Sequence, residues 1–221
     1  MLLANLWVLI ASAVSVSPYV IRDNFDVDPN TLTTFLSQLA SSDDRVDAKV
    51  QLNYQNMASK AHFDHDNAPK PLFTSVDPAV LQRPTFTSLQ NLMKFYQADA
   101  TVAENRTPSW NTAISDFLDD VLNTNVMKTA QNFLYNHGMA SNDLQTFKEQ
   151  VTSIWFTLFS RNGGVPSSSG FKSLFFGEET SGKVVSFNNW VQFYLQENAG
   201  LINYHGWFTK ENVSFKVIFI I

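Results

Sequence analysis

The sequence predicts an α+β fold with a helical amino-terminal lobe and an antiparallel, strand-rich carboxyl-terminal lobe. In residues 31–160 apolar side chains recur at three-to-four spacing, whereas residues 161–221 alternate turn-rich segments with short apolar runs. A hydrophobic content of 44%, with 19 Phe and 5 Trp, is sufficient for a large aromatic core. The chain has no cysteine, so disulfide bonds and thiolate metal sites are excluded.

One-sided apolar stripes predict four helices in the first lobe. These helices are Thr31–Ser41, Phe86–Gln97, Trp110–Leu122 and Asp143–Phe159. Asp28 and Asp143 stand at two of the helix starts, where a short polar side chain can cap free amide groups. His137 followed by Gly138 indicates a further helix end.

Glycine, proline and serine residues at positions 163–170 break the helical pattern. Five elements are predicted after this break: a strand at Phe171–Gly177, a hairpin turn at Thr180–Gly182, a returning strand at Lys183–Ser186, a helix at Phe187–Glu197 and a last strand at Phe215–Ile221. The aromatic residues of these elements are interpreted as core residues.

The amino terminus has the features of a secretory signal peptide. Leu2–Val16 is apolar and uncharged, and small residues around Ala11–Ala13 suit a cleavage region. A membrane anchor is the alternative, but a bilayer span needs about 20 apolar residues and this run is shorter. We therefore expect residues 1–17 to be removed and residues 18–221 to be extracellular and free of the membrane. Two glycosylation sequons, at Asn105 and Asn212, fit this route.

The distribution of charge does not favour extended nucleic-acid binding. The net charge is −5 with a pI of about 5.3, and residues 159–221 carry 5 basic and 4 acidic side chains. A protein that binds nucleic acid through counterion release needs a basic face. No basic cluster is present in the sequence, so DNA is not expected as a partner and any contact with RNA should be weak.

Two neighbouring motifs give the strongest functional signal. The first is Gly170-Phe171-Lys172-Ser173-Leu174-Phe175-Phe176-Gly177-Glu178, and the second runs from Ser186-Phe187-Asn188-Asn189-Trp190 to Glu197. They resemble the signatures of the EndoU family of uridylate-specific endoribonucleases, which read Gly-aromatic-Glu-His-apolar-Gly-Glu and Gly-Phe-His-Asn-Trp. Further similar blocks are Leu72–Asp77, Arg83–Leu89, Thr124–Lys128 and Ile154–Arg161. The resemblance spans Thr31 to Phe208 and implies an EndoU-type fold.

The resemblance also implies a particular reaction. The family cleaves single-stranded RNA at uridines: the 2′-OH loses a proton and attacks phosphorus, the 5′-oxygen is protonated, and a 2′,3′-cyclic phosphate remains. Two histidines suit the proton transfers because their pKa lies near 6.5. A lysine stabilises the charge of the phosphorane. Manganese stimulates many members of the family.

This chain lacks both histidines at the matching positions. Ser173 and Asn188 replace them, Lys172 replaces the glutamate before the first histidine, and Glu178 is retained. A serine without a neighbouring base has little acidity, and an amide does not titrate. We therefore expect an inactive or severely impaired homologue that needs no manganese. Weak binding of uridine-rich single-stranded RNA or of a protein is expected to remain, since Lys172 and Ser173 can contact phosphate.

Two alternatives stay open. In the first, the chain is a divergent endonuclease in which His205, Lys172 and Glu178 take altered roles. In the second, it is a truncated product without function, because the segment after Phe208 resembles the family poorly and the lysine-bearing strand is not evident. By the resemblance, the strands that should follow Phe215–Ile221 are absent, whichever alternative holds. This apolar segment is therefore expected either to pack back onto the sheet or, as we favour, to self-associate through its exposed edge.

Three candidate groups also have simpler interpretations. His205 is expected to be a surface or partly packed histidine, and Glu178 a solvated strand end. The segment His62–Asp66 contains metal-ligand residue types, but no spacing fixes further ligands, so a solvated loop is expected.

Overall fold

The computed structural model describes residues 27–58, 65–161, 164–210 and 213–220, and the side chains of these residues up to Phe208. The predicted signal peptide at residues 1–17 lies outside the described residues. So does most of the segment His62–Asp66. Within the described ranges, no helix is long and apolar enough to cross a membrane.

Helices and short antiparallel strand pairs build the protein, so the α+β prediction is confirmed. The helices are α1 (Pro29–Ser42), α2 (Pro78–Leu81), α3 (Pro84–Met93), α4 (Pro108–Leu122), α5 (Asn125–Asn136), α6 (Leu144–Phe156) and α7 (Trp190–Asn198). The strands are β1 (Val50–Leu52), β2 (Phe73–Val76), β3 (Glu178–Thr180), β4 (Lys183–Ser186), β5 (Ile202–Lys210) and β6 (Val213–Ile220). The pairs are β1–β2, β3–β4 and β5–β6.

Two of the predicted helix caps are confirmed. Asp28 accepts a hydrogen bond from the amide of Thr31 at 2.9 Å and begins α1. Asp143 accepts one from the amide of Thr146 at 2.8 Å and begins α6. Each carboxylate satisfies an amide that has no partner inside its helix, and a negative charge there also favours the helix dipole.

Three predicted helix boundaries, two carboxyl-terminal ends and one start, are wrong by a few residues. The helix expected to reach Gln97 ends at Met93, because the next amides bond to carbonyls three residues back and tighten the last turn. The helix expected to reach Phe159 ends at Phe156, since Phe159 pairs instead with Ser168 in an isolated antiparallel bridge. The helix expected from Phe187 begins at Trp190.

The strand predicted at Phe171–Gly177 is also wrong, because this segment is helical. It contains a π-helical turn at Lys172–Phe176. The hydroxyl of Ser169 accepts a hydrogen bond from the amide of Lys172 at 3.1 Å, and its carbonyl accepts one from the amide of Ser173 at 3.0 Å. Ser169 therefore starts a helical turn where the apolar sequence alone suggested an extended chain.

Packing and a glycine complete this turn. The rings of Phe171 and Phe175 stack with centroids 5.0 Å apart, as a spacing of four residues on one helical face allows. Gly177 ends the turn with φ of 106°, and a Cβ there would lie 2.8 Å from the ring of Phe187. Only glycine fits this position without strain. The hairpin turn at Ser181 and Gly182, both at positive φ, is as predicted.

The described chain divides into two compact units. The first, called the helical unit here, comprises residues up to Asp44 together with Arg83–Asn188 and holds α1, α3–α6, the π-helical turn and the β3–β4 hairpin. Its core is aromatic and centres on the fully buried ring of Phe171. That ring has neighbours at centroid distances of 4.9–5.4 Å, which are Tyr96, Phe117, Phe156 and Phe175.

The second unit, called the strand unit here, comprises Arg45–Gln82 and Asn189–Ile221. It holds β1, β2, α2, α7 and the β5–β6 hairpin. The carboxylate of Glu197 on α7 accepts hydrogen bonds from the amides of Leu72 at 2.7 Å and Phe73 at 3.1 Å. This bidentate contact fixes α7 to the start of β2.

Candidate active site

A run of three buried serines leads into the first motif. Ser167, Ser168 and Ser169 are each at most 1% exposed, and each hydroxyl has a partner in the helical unit. The hydroxyl of Ser167 donates to the carbonyl of Ala100, and that of Ser168 donates to Glu178. Buried hydroxyls need such partners because leaving one unpaired costs about 1–3 kcal/mol. The serine run therefore holds the motif in one place.

Lys172 is completely buried and is paired inside the protein. Its ammonium group lies 2.7 Å from Oε1 of Glu104 and donates to the carbonyl of Ser167 at 2.8 Å. Burial raises the pKa of Glu104 above its ordinary value, and the hydrogen bond and charge of Lys172 oppose that rise. The lysine that was expected as a possible phosphate contact is thus part of an internal ion pair.

Glu178 is also buried, so its interpretation as a solvated strand end is wrong. It is 2% exposed and accepts a hydrogen bond from Nε of Arg161 at 2.6 Å as well as the one from Ser168. A carboxylate can be buried only when charge and hydrogen bonds compensate its lost hydration. Arg161 supplies that compensation, and its side chain remains partly exposed.

Ser173 and Asn188 lie close together at the edge of the same unit. Nδ2 of Asn188 is 3.5 Å from the carbonyl oxygen of Ser173, at the long limit of a hydrogen bond. The hydroxyl of Ser173 accepts a hydrogen bond from Nη2 of Arg161 at 3.0 Å. A cation next to this hydroxyl cannot take its proton. The arrangement provides hydrogen-bond donors for a phosphate oxygen, but it provides no general base.

His205 belongs to the strand unit and is buried, with 7% exposure, which is more than the surface or partly packed position expected. It sits where the pairing of β5 with β6 is irregular, between Tyr204 and Gly206. Burial alone would raise the pKa of the Asp66 carboxyl. Hydrogen bonds from the amide of Ala68 and from Asn203, together with the charge of His205, outweigh burial and lower this pKa below its ordinary value. His205 thus has a carboxylate near it within its own unit.

The residues that the structure describes do not form a manganese site. Among the described residues, no three histidine or acidic side chains come together as metal ligands. The two buried carboxylates near the motif are already paired, Glu104 with Lys172 and Glu178 with Arg161.

Three residues of this cluster were not predicted from the sequence. Arg161, Ser168 and Glu104 bind the motif residues but were not assigned a role. Arg161 could have been noticed in the sequence, because it is an isolated cation shortly before the glycine-serine segment in an otherwise apolar stretch. No sequence feature indicated the pairing of Glu104 with Lys172, because the two residues are far apart in the sequence.

The sequence and the α+β fold of this chain match those of a ribonuclease family. Residues 31–218 match the family model described as "Endoribonuclease XendoU". The chain therefore belongs to the XendoU (EndoU) endoribonuclease family. The match continues beyond Phe208, so the segment that follows belongs to the family region as well.

Curated relatives and a solved structure agree with this assignment. The chain is 38% identical over 151 residues to Uridylate-specific endoribonuclease B of Danio rerio, and 38% identical over 178 residues to Poly(U)-specific endoribonuclease-B of Xenopus laevis. These alignments cover 67% and 79% of this chain, but only 54% and 60% of the relatives. The chain thus spans little more than half the length of these relatives.

The structural match is to "The structure of XendoU: a splicing independent snoRNA processing endoribonuclease". It has a TM-score of 0.69 at 34% sequence identity. It covers 86% of this chain and 69% of that chain. At this identity, the similarity extends to sequence as well as to fold.

Proposed function

We propose that this chain is a secreted member of the endoribonuclease family that binds uridine-rich single-stranded RNA weakly and does not cleave it. The observation that carries the proposal is the contact between Asn188 and Ser173. These residues stand at the two positions where the family resemblance places histidines, and neither can exchange a proton near neutral pH.

The neighbouring charged groups do not replace the missing acid and base. Glu178 is buried against Arg161, and Lys172 is buried against Glu104, so both are held in internal ion pairs. His137 is the one histidine of the helical unit's sequence, and it lies at the end of α5 with Nδ1 2.8 Å from the carbonyl of Phe133. Its position is explained by the helix end.

Fewer observations support RNA binding than support the loss of catalysis. Relatives are named for activity on uridylate and poly(U). In this chain, Arg161 is partly exposed and holds the hydroxyl of Ser173, so the two side chains present donors to a phosphate group. One arginine and an acidic chain predict a shallow salt dependence, with a slope near −0.7 for each phosphate contacted.

A cleavage assay tests the loss of catalysis. We expect no product from a uridine-rich oligonucleotide above a protein-free control, with or without manganese, because losing one general acid or base costs about 10²–10⁴-fold. The wild-type chain and the variants Glu178→Ala and His205→Ala should give the same background. Cyclic-phosphate products that need manganese and vanish in either variant would instead establish the divergent nuclease.

A binding assay tests the retained function. Fluorescence anisotropy should show weak binding to oligouridylate and weaker binding to oligoadenylate. Arg161→Gln should reduce the affinity for both, whereas Lys94→Gln, which removes an exposed cation bonded to Asn91, should not. Equal binding by wild-type chain and Arg161→Gln would refute a role for Arg161 in holding phosphate.

Secretion and self-association complete the proposal. The apolar run Leu2–Val16 supports export, and expression in secretory cells should yield a protein in the medium that begins at about residue 18. Retention of the chain inside the cells, with residues 1–17 still attached, would refute it. Self-association is proposed through the segment Phe215–Ile221 of the strand unit.

A further inference from the structure

Phe159 presents its ring at the surface of the helical unit, next to the candidate site. The side chain is 42% exposed, although along the chain it lies between the buried end of α6 and the buried serines of the motif. A single exposed apolar side chain is common on protein surfaces and does not by itself indicate a ligand. Two further features distinguish Phe159, which are its fixed backbone and its cationic neighbour.

The backbone of Phe159 is hydrogen-bonded on both of its polar groups. Its amide donates to the carbonyl of Ser168 at 2.9 Å, and its carbonyl accepts hydrogen bonds from the amides of Ser167 at 3.2 Å and Ser168 at 3.1 Å. The side chains of both serines are buried and paired in the same unit. The exposed ring is therefore carried by a buried segment, and a ligand that contacts it has little of the backbone left to order.

An arginine that is itself held in place lies beside this ring. The guanidinium carbon of Arg161 is 5.4 Å from the centroid of the Phe159 ring, within the range of a cation–π contact. The same guanidinium group donates to Glu178 at 2.6 Å and to the hydroxyl of Ser173 at 3.0 Å. Arg161 thus connects the ring to the motif, so an aromatic ring and hydrogen-bond donors suited to phosphate lie next to each other.

Charge alone gives this surface little affinity for RNA. The positive charge of Arg161 is balanced by the carboxylate of Glu178, and the whole chain has a net charge of −5. Binding through counterion release is therefore weak. Proteins that bind single strands supplement such contacts by stacking bases on aromatic side chains, and each stacked base raises the affinity by about fivefold or more.

We propose that Phe159 is a stacking surface for one nucleobase of single-stranded RNA, whose adjacent phosphate lies against Arg161 and Ser173. This inference rests on the proposed RNA binding and adds to it the contact that holds a base. Every base has a π-face that can stack on an aromatic ring. Phe159 therefore contributes affinity, and it does not supply a preference for uridine.

Fluorescence anisotropy with a short oligouridylate tests the stacking. Phe159→Leu keeps an apolar side chain but removes the ring, and it should weaken binding by about fivefold or more. Phe159→Tyr restores a ring and should recover the affinity. Tyr135→Leu is the matched control, since Tyr135 on α5 is 47% exposed in the same unit, and it should not change the affinity.

The salt dependence of binding separates the ring from the arginine. Phe159→Leu keeps Arg161, so the slope of log K against log salt concentration should equal that of the wild-type chain. Arg161→Gln removes one phosphate contact and should flatten this slope by about 0.7. A flatter slope for Phe159→Leu would show that the ring acts by positioning Arg161, and it would overturn the stacking.

An abasic oligonucleotide of the same length keeps the phosphates and lacks the bases. The wild-type chain should bind it about fivefold or more weakly than oligouridylate, and Phe159→Leu should bind it like the wild-type chain. The comparison of the two oligonucleotides uses the wild-type chain, so it tests the proposal even if Phe159→Leu does not fold.

The outcomes distinguish this inference from the RNA binding on which it rests. If the wild-type chain binds neither oligonucleotide, the RNA binding and the stacking both fail. If it binds both equally and Arg161→Gln weakens both, the RNA binding stands and the stacking alone is overturned.

Discussion

The ammonium group of Lys172 lies 2.7 Å from Oε1 of Glu104, and both side chains are almost completely buried. The family resemblance places a glutamate where Lys172 stands. A glutamate at this point would face the carboxylate of Glu104, so the identity of one residue depends on the other. In this chain the lysine of the motif is held in an internal ion pair and does not present a free charge.

Removing one partner of this pair should destabilise the chain strongly. Lys172→Met leaves the carboxylate of Glu104 buried without its cation, and we expect a loss of about 3–5 kcal/mol in the free energy of unfolding. Combining it with Glu104→Leu should recover most of that loss, because both charges are then gone. Urea denaturation measures both effects, with the exposed Lys183→Met as control. A single variant as stable as the control would disprove the coupling.

Restoring the family residues should not restore activity. The variant Ser173→His/Asn188→His/Lys172→Glu rebuilds the pair of histidines but removes a cation and adds none to stabilise the phosphorane. It also places a second carboxylate beside Glu104. We expect little or no RNA cleavage by this triple variant and lower stability than for Ser173→His/Asn188→His. Strong turnover by the triple variant would contradict this account of the site.

The sequence predicted the helices well where one-sided apolar stripes coincided with a local cap, as at Asp28 for α1 and Asp143 for α6. It failed at Phe171–Gly177, where an apolar aromatic run between glycines suggested a strand. The deciding contacts there are the hydrogen bonds of Ser169 to the next turn. The spacing of Phe171 and Phe175 was the one available sign of a helix.

The sequence pointed to the motif residues of the candidate site, but not to the residues that they contact. The two short motifs identified Lys172, Ser173, Glu178 and Asn188, because residues close together in the sequence form patterns that can be recognised. Burial and pairing depend on residues distant along the chain, such as Glu104 for Lys172. A lysine in an apolar run indicates neither its burial nor its partner.

The cap of α6 gives a prediction about pH. The hydrogen bonds from the amide and hydroxyl of Thr146 lower the pKa of Asp143 below its ordinary value of 3.8. A lowered pKa means that the stabilisation is present above pH 3.8 and is lost as the pH falls through the folded-state pKa. Asp143→Ala should therefore lower the melting temperature at pH 7, with a smaller effect near pH 3.

Asp143→Asn is the matched control for this prediction. Its amide oxygen can still cap the helix, so at pH 7 it should be more stable than Asp143→Ala. Its difference from the wild-type chain should become smaller as the pH falls below 3.8, because the wild-type carboxylate then loses its advantage. Melting curves between pH 3 and pH 7 measure this, and a pH-independent difference between Asp143→Ala and the wild-type chain would exclude the charge as the cause.

The last prediction concerns the β5–β6 hairpin. In the described chain, β6 pairs antiparallel with β5 from Ile202 to Lys210 and has no second strand partner. The sequence Phe215–Ile221 is rich in β-forming residues and has a single charge. An unpaired edge of this composition favours pairing with another chain. We expect the chain to self-associate in size-exclusion chromatography, with the oligomer increasing at higher protein concentration.

Two variants test this edge. Replacing Ile218 by lysine adds a charge to β6, as natural edge strands often carry, and should shift the chain toward monomer. Deleting residues 215–221 should abolish self-association but also lower the melting temperature, because β5 then loses most of its partner. A full-length chain that is already a soluble monomer at all concentrations, and that the deletion simply unfolds, would show that β6 serves the core of the strand unit alone.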